Sequence, residues 1–77
     1  MNGLTTIHFD KGKMKEARER KGFSLTEAAT LLGLSKQQLW TYENESGRGT
    51  PSPDTLARAC VLYEIEISDL TAHEQAA

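Results

Sequence analysis

One cysteine, two prolines and five aromatic residues among 77 positions exclude several ways of building a small protein. A lone thiol forms no internal disulfide and has no second sulfur with which to hold a metal. Cys60 lies in the run RACVLYE on one helical face with Leu56 and Tyr63, so it is expected to act as a small buried hydrophobe. His8 and His73 stand apart from any other ligand type, so neither a metal nor a catalytic role is expected for them. No run of about 18 apolar residues is present, and no charged-then-apolar leader. The expectation is a cytoplasmic protein with no membrane partner. The sequence has no nucleophile paired with a base, no phosphate-cradling glycine loop and no ligand cluster, so an enzyme is not expected and no cofactor is called for. Repeats, low-complexity tracts and linkers are absent as well, which leaves one domain.

What the chain does have is a set of helix caps. A domain of this length buries only about 60 to 65% of its unfolded surface, so the core is thin and caps matter more than usual. Ser24 with Glu27, and Ser35 with Gln38, each match the capping box, in which hydroxyl and carboxylate or amide satisfy orphaned backbone N–H groups reciprocally. Leu34 and Leu39 are spaced to close as a hydrophobic staple. Gly33 sits between the two patterns, where a left-handed residue ends a helix without a Cβ clash. Ala28, Ala29 and Leu32 share one face of the first helix, and Leu39 and Tyr42 one face of the second. Two amphipathic helices joined by a turn of about four residues pack at a steep angle. An ordinary helical hairpin in a small bundle satisfies the same geometry. The second helix also carries Lys36, Gln37, Trp40, Thr41 and Asn44 opposite Leu39 and Tyr42. Glutamine can bond an adenine edge twice, lysine donates to guanine acceptors, and a threonine methyl can touch that of thymine.

The flanks complete the domain. Residues 2 to 9, NGLTTIHF, alternate loosely and predict a flexible arm or one short edge strand. Asp10 caps a first helix that runs to Lys21, where Gly22 breaks it. The run NESGRGTPS is a loop by composition. Ser52 then caps a fourth helix with Pro53 at its first position, and Leu56, Ala59, Cys60 and Tyr63 form its buried stripe. Ile65, Ile67 and Leu70 predict a short fifth helix, and the polar residues from Thr71 onward predict fraying. The expected fold is all-α: a compact bundle of about five short helices with a central helix-turn-helix. Residues 1–10 are assigned to an arm, 11–70 to the domain, with the helix-turn-helix at 25–43, and 71–77 to a frayed tail.

From Met14 to Leu70 the chain resembles the lambda-repressor-like (Cro/CI, XRE) helix-turn-helix family. The resemblance rests on ARERKGFSLTEAATLLGLSKQQLWTYEN, on PSPDTLARAC and on IEISDL. It implies that Ser35, Lys36, Gln37, Gln38 and Thr41 occupy the part of the recognition helix that enters the major groove of double-stranded DNA. It also implies phosphate contacts at Asn44 and in the following loop at Arg48, and an ion pair between Arg18 and Glu43. Two solvated surface charges are the alternative for that pair. Four positions depart from the family pattern. Leu25 stands where a glutamine commonly touches the DNA backbone, Ala28 replaces a leucine, and Glu45 places a negative charge near the expected phosphate path. Trp40 occupies a position that is frequently small or polar. It is read either as a contact to sugar, phosphate or a partner protein, or as a cover over the core.

The net charge of −2 opposes DNA binding, because phosphate neutralisation supplies much of the affinity. Distribution offsets this. Residues 1–40 carry seven Lys or Arg against four Asp or Glu, a balance of +3, and residues 41–77 carry two against seven, a balance of −5. Lys11, Lys13, Lys15, Arg18, Arg20 and Lys21 cluster around the first helix, and such a run is more often plain solvated surface. Helix N-termini add fixed positive ends. The expected function is a sequence-specific DNA-binding transcriptional regulator, a repressor acting as a homodimer, with modest and strongly salt-dependent affinity. The alternative is a helix-turn-helix protein-interaction module, antitoxin-like or a phage or host regulatory adaptor, whose exposed Trp40 and acidic C-terminal half bind a protein partner.

Overall fold

The structure, a computed structural model, describes residues 5–75. Their order is strand β1 (Thr5–Phe9), helices α1 (Lys11–Arg20), α2 (Leu25–Leu32), α3 (Lys36–Glu43) and α4 (Pro53–Tyr63), a 3₁₀ turn (Ile67–Leu70) and strand β2 (Thr71–Gln75).

Each helix starts on a side-chain cap. Asp10 Oδ1 accepts from the Lys13 N–H at 3.0 Å. Ser24 Oγ accepts from the Glu27 N–H at 3.1 Å, while Glu27 Oε1 accepts from the Ser24 N–H at 2.9 Å. Those bonds hold the Glu27 carboxyl below its ordinary pKa. Ser52 Oγ accepts from the Thr55 N–H at 3.2 Å, with Pro53 in the first turn. Gly33 closes α2 in the left-handed region at φ +72°, where a Cβ would be strained. Glu64 closes α4 in the same region at φ +55°. This is an uncommon conformation for a side-chain-bearing residue. A salt bridge from Lys21 to Glu64 ties this end of α4 to the end of α1 and holds the Glu64 carboxyl below its usual range.

Among the described residues, four of the nine buried hydrophobic side chains of the core are alanines, and that lets short helices approach closely. The core consists of Met14 and Ala17 from α1, Ala28, Ala29 and Leu32 from α2, Leu39 from α3, Ala59 and Tyr63 from α4, and Leu70. Phe9, Phe23, Leu25, Leu34, Tyr42, Leu56, Cys60, Leu62 and Ile65 pack around it, partly buried. Leu34 and Leu39, the two halves of the expected staple, thus lie on the same cluster. Cys60 is half-buried rather than buried, and desolvation pushes its thiol pKa up. The rings of Phe23 and Tyr63 lie 6.3 Å apart between centroids, tilted by 42°.

Two expectations are corrected at the end of the chain. The fifth helix is a single 3₁₀ turn, in which Asp69 accepts from the Glu66 N–H at 2.9 Å. The segment from Thr71, expected to fray, is a strand as far as Gln75. It pairs antiparallel with β1, Thr5 opposite Gln75, Ile7 opposite His73 and Phe9 opposite Thr71. Neither segment has a strong strand pattern alone; each obtains its backbone partners from the other end of the chain. The Asp10 N–H donates to the Leu70 carbonyl at 2.9 Å and Lys13 Nζ to the Thr71 carbonyl at 2.8 Å, so the ladder is anchored where it meets the helices. Residues 1–4 of the expected arm and 76–77 of the expected tail lie outside the described residues.

Candidate nucleic-acid interface

Helix α3 has two chemically distinct sides. Its inner side presents Leu39, fully buried, and Glu43, 5% exposed. Arg18 reaches Glu43 from α1 with a forked contact. Nε lies 2.9 Å from Oε2 and 3.1 Å from Oε1, Nη2 lies 3.0 Å from Oε1, and Nη1 donates to the Phe23 carbonyl at 2.8 Å. The hydrogen bond to Glu43 raises the Arg18 pKa above its ordinary value despite the opposing effect of burial. Arg18 and Glu43 are therefore a buried, geometrically complete pair rather than two solvated charges, and they fix the rotation of α3 about its own axis.

The outer side holds the residues named as base or phosphate contacts. Lys36, Gln37, Gln38 and Trp40 are exposed, while Thr41 and Asn44 are half-buried. Ser35 is the helix cap: its Oγ accepts from the Gln38 N–H at 3.1 Å and its N–H donates to Gln38 Oε1 at 3.2 Å. The Thr41 hydroxyl donates to the Gln37 carbonyl at 2.9 Å, so its methyl group and oxygen lone pairs are what remain for a ligand. Asn44 Nδ2 donates to the Trp40 carbonyl at 2.8 Å, closing the last turn of the helix. Trp40 is 39% exposed, which leaves part of the indole open to solvent on this side.

The end of α3 is held by contacts that the sequence did not announce. Lys11 Nζ donates to the carbonyls of Thr41 and Gly47, each at 2.8 Å. It clamps the C-terminal turn of α3 to the loop that follows and places a cation where the helix dipole is negative. Gly47 comes so close that a Cβ there would fall 2.7 Å from Thr41 Cα, so only glycine fits. The Gly47 N–H donates to the Asn44 carbonyl at 2.9 Å. Arg48 follows on the loop surface, exposed, with Glu45 exposed nearby in sequence. The signal for Lys11 was its charge alone, which is indistinguishable in sequence from Lys13 or Lys15.

The basic run around α1 is mostly engaged inside the chain. Lys11 holds carbonyls of α3 and its loop, Lys13 the Thr71 carbonyl, Arg18 the Glu43 carboxylate and Lys21 that of Glu64. Leu25, which departs from the family pattern, is half-buried and packs against the core. Among the described residues no group of three or more His, Cys, Asp or Glu is placed to hold a metal ion, and no helix is long and apolar enough to cross a membrane.

Comparison with known proteins agrees with this geometry. Residues 12–73 match the model of a helix-turn-helix domain family. The chain is 36% identical over 61 residues to the ImmF control region 10 kDa protein of Bacillus phage phi105, covering 79% of this chain and 66% of the phage protein. It is 33% identical over 58 residues to a Pyrococcus furiosus protein whose name describes a proposed HTH-type transcriptional regulatory protein, covering 75% of this chain and 18% of that one. A Pyrococcus horikoshii protein of the same description is 43% identical over 37 residues, 48% of this chain and 12% of its own length. The chain thus spans a small part of the archaeal relatives and about two thirds of the phage protein. With the match running from the first turn of α1 into β2, and with α2, the Gly33 turn and α3 at its centre, the chain belongs to the helix-turn-helix domain family, in its XRE/Cro-like branch.

Proposed function

We propose that this chain is a sequence-specific DNA-binding transcriptional regulator of the cytoplasm, a repressor that acts as a homodimer and inserts α3 into the major groove. The observation that carries this reading is the outward edge of α3. Lys36, Gln37 and Gln38 stand exposed on a helix whose opposite side is locked by Leu39 and the Arg18–Glu43 pair. A rigid support under a hydrogen-bonding edge is what base readout requires, because discrimination depends on fixed donor and acceptor positions. Arg48 and the half-buried Asn44 sit beyond the end of α3, where phosphate would run beside an inserted helix. One α3 offers few contacts, and pairing two subunits over half-sites about 34 Å apart doubles them. The names of the phage and archaeal relatives support a regulatory role, and bound protein would block polymerase sterically.

A second reading, a protein-interaction module, is favoured by a different surface. Leu31, Val61 and Ile67 are 59%, 80% and 51% exposed, on α2, α4 and the 3₁₀ turn rather than on α3. Selection from a random duplex pool, followed by titration of the enriched duplex at two salt concentrations, separates the two. The DNA reading predicts an enriched motif with inverted half-sites and an affinity that falls steeply with salt. No enrichment, together with salt-insensitive binding of a protein partner, would replace it by the second.

A further inference from the structure

Gln38 is the one amide on the α3 edge whose acceptor is already occupied. Its Oε1 accepts from the Ser35 N–H at 3.2 Å and lies 3.4 Å from the Ser35 hydroxyl, which donates to it as well. A carbonyl oxygen has two lone pairs, and both are directed at the cap. The assignment of oxygen and nitrogen is fixed by chemistry: the Ser35 N–H is a donor, so the atom facing it must be the oxygen. The Nε2 group, with two N–H donors, is what the exposed side chain turns to solvent. By contrast, the Gln37 side chain makes no hydrogen bond among the described residues, so it keeps a free donor and a free acceptor. Thr41 has its hydroxyl proton bonded to the Gln37 carbonyl and has no donor to give.

Resting on the DNA-binding reading, we infer that Gln38 is a specificity-determining residue that meets DNA as a donor only and selects guanine at the base pair it faces. Guanine presents two adjacent acceptors in the major groove, O6 and N7. Adenine places an N6 amino donor beside N7, thymine presents a single acceptor, O4, beside its methyl group, and cytosine presents only its N4 amino donor, so guanine alone can take both N–H groups. An amide whose oxygen remained free would pair with adenine at both atoms. With the oxygen held by Ser35, that pairing would require breaking the cap, and the adenine amino group would face an N–H donor. The Gln38 amide is thus donor-only and fits guanine, whereas adenine readout is left to Gln37.

The test is selection from a random duplex pool with the wild type, Gln38→Glu and Gln38→Ala, each with its thermal midpoint measured. Gln38→Glu keeps the capping box, since one carboxylate oxygen takes the place of the amide oxygen. The other oxygen then replaces the donor by an acceptor. The expected result is an unchanged or raised midpoint, a loss of about tenfold or more on the wild-type site, and a change from guanine to cytosine in one column of each half-site. Gln38→Ala is expected to lower the midpoint and relax that column without a new preference. Unchanged affinity and motif in Gln38→Glu would overturn the inference alone, as would an equal loss on every sequence, which marks a phosphate contact. Failure of the wild type to enrich any sequence would overturn the DNA reading itself, and this inference with it.

Discussion

The two sides of α3 are built from similar polar residues and put them to opposite use. On the inner side the carboxylate of Glu43 is buried and bonded to a fork of Arg18 donors at 2.9 to 3.1 Å. On the outer side Lys36 and Gln37 stand in solvent with no internal partner among the described residues. The difference shows how one eight-residue helix can be both immobile and reactive: its charge is satisfied where water is absent and uncommitted where water can be displaced by a ligand. Substitution on the inner side should therefore cost stability first, and substitution of the uncommitted Lys36 or Gln37 on the outer side should cost binding alone.

The largest effect is expected at the inner pair. Arg18→Ala leaves Glu43 buried and unpaired and should lose about 3–5 kcal/mol, a large fraction of the stability of so small a domain. The double replacement Arg18→Met with Glu43→Leu should recover most of that loss, because apolar residues of similar volume often replace a buried pair without cost. Urea unfolding of the three proteins checks both statements. Next comes Gly47→Ala, where the added methyl meets the Thr41 backbone. It should cost about 1–3 kcal/mol through displacement of the loop, read in the same experiment. On the outer side Gln37→Ala should lose about 1–3 kcal/mol of binding to the selected duplex and relax one base pair, with the urea midpoint unchanged. An equal loss on random DNA would assign Gln37 to the backbone instead.

The smallest effect tests burial without a partner. The Tyr63 hydroxyl has no hydrogen bond among the described residues, and desolvation pushes its pKa up to about 12. Tyr63→Phe should therefore change stability little at pH 7, since no bond is lost. The unfolded phenol ionises near pH 10 and the folded one near pH 12. As pH rises through that window the unfolded state sheds its proton first, and wild-type stability should fall by on the order of 2 kcal/mol. That fall should be absent from the phenylalanine variant when both are unfolded in urea across the alkaline range.

What was legible in the sequence was local. Ser24 with Glu27, Ser35 with Gln38, Gly33, and Ser52 with Pro53 are devices whose partners lie within four residues, and each appears in the structure with the predicted bonds or backbone angle. The Arg18–Glu43 contact, 25 residues apart, came from family resemblance and not from any local rule. The Lys11 clamp and the close approach of Gly47 to Thr41 were not legible, because a lysine beside other lysines and a glycine within a glycine-rich loop carry no mark of their tertiary partners. The β1–β2 ladder was missed at its C-terminal half because TAHEQ is polar and short, and its pairing depends on a segment about 65 positions away. Among the candidate contacts, exposure was predictable from helical period, whereas the engagement of the Gln38 oxygen and the Thr41 hydroxyl depended on rotamers that periodicity does not specify.

The most direct test of the central claim, that the exposed edge of α3 is the ligand-binding surface, is an amide NMR titration of the wild-type protein with its selected duplex. The account predicts that the largest shifts fall on residues 35–44 and at Arg48, while Leu31, Val61 and Ile67 remain unperturbed or move only with subunit pairing. Shifts centred on the α4 surface around Val61, with the amides of Lys36 to Gln38 unmoved, would contradict it.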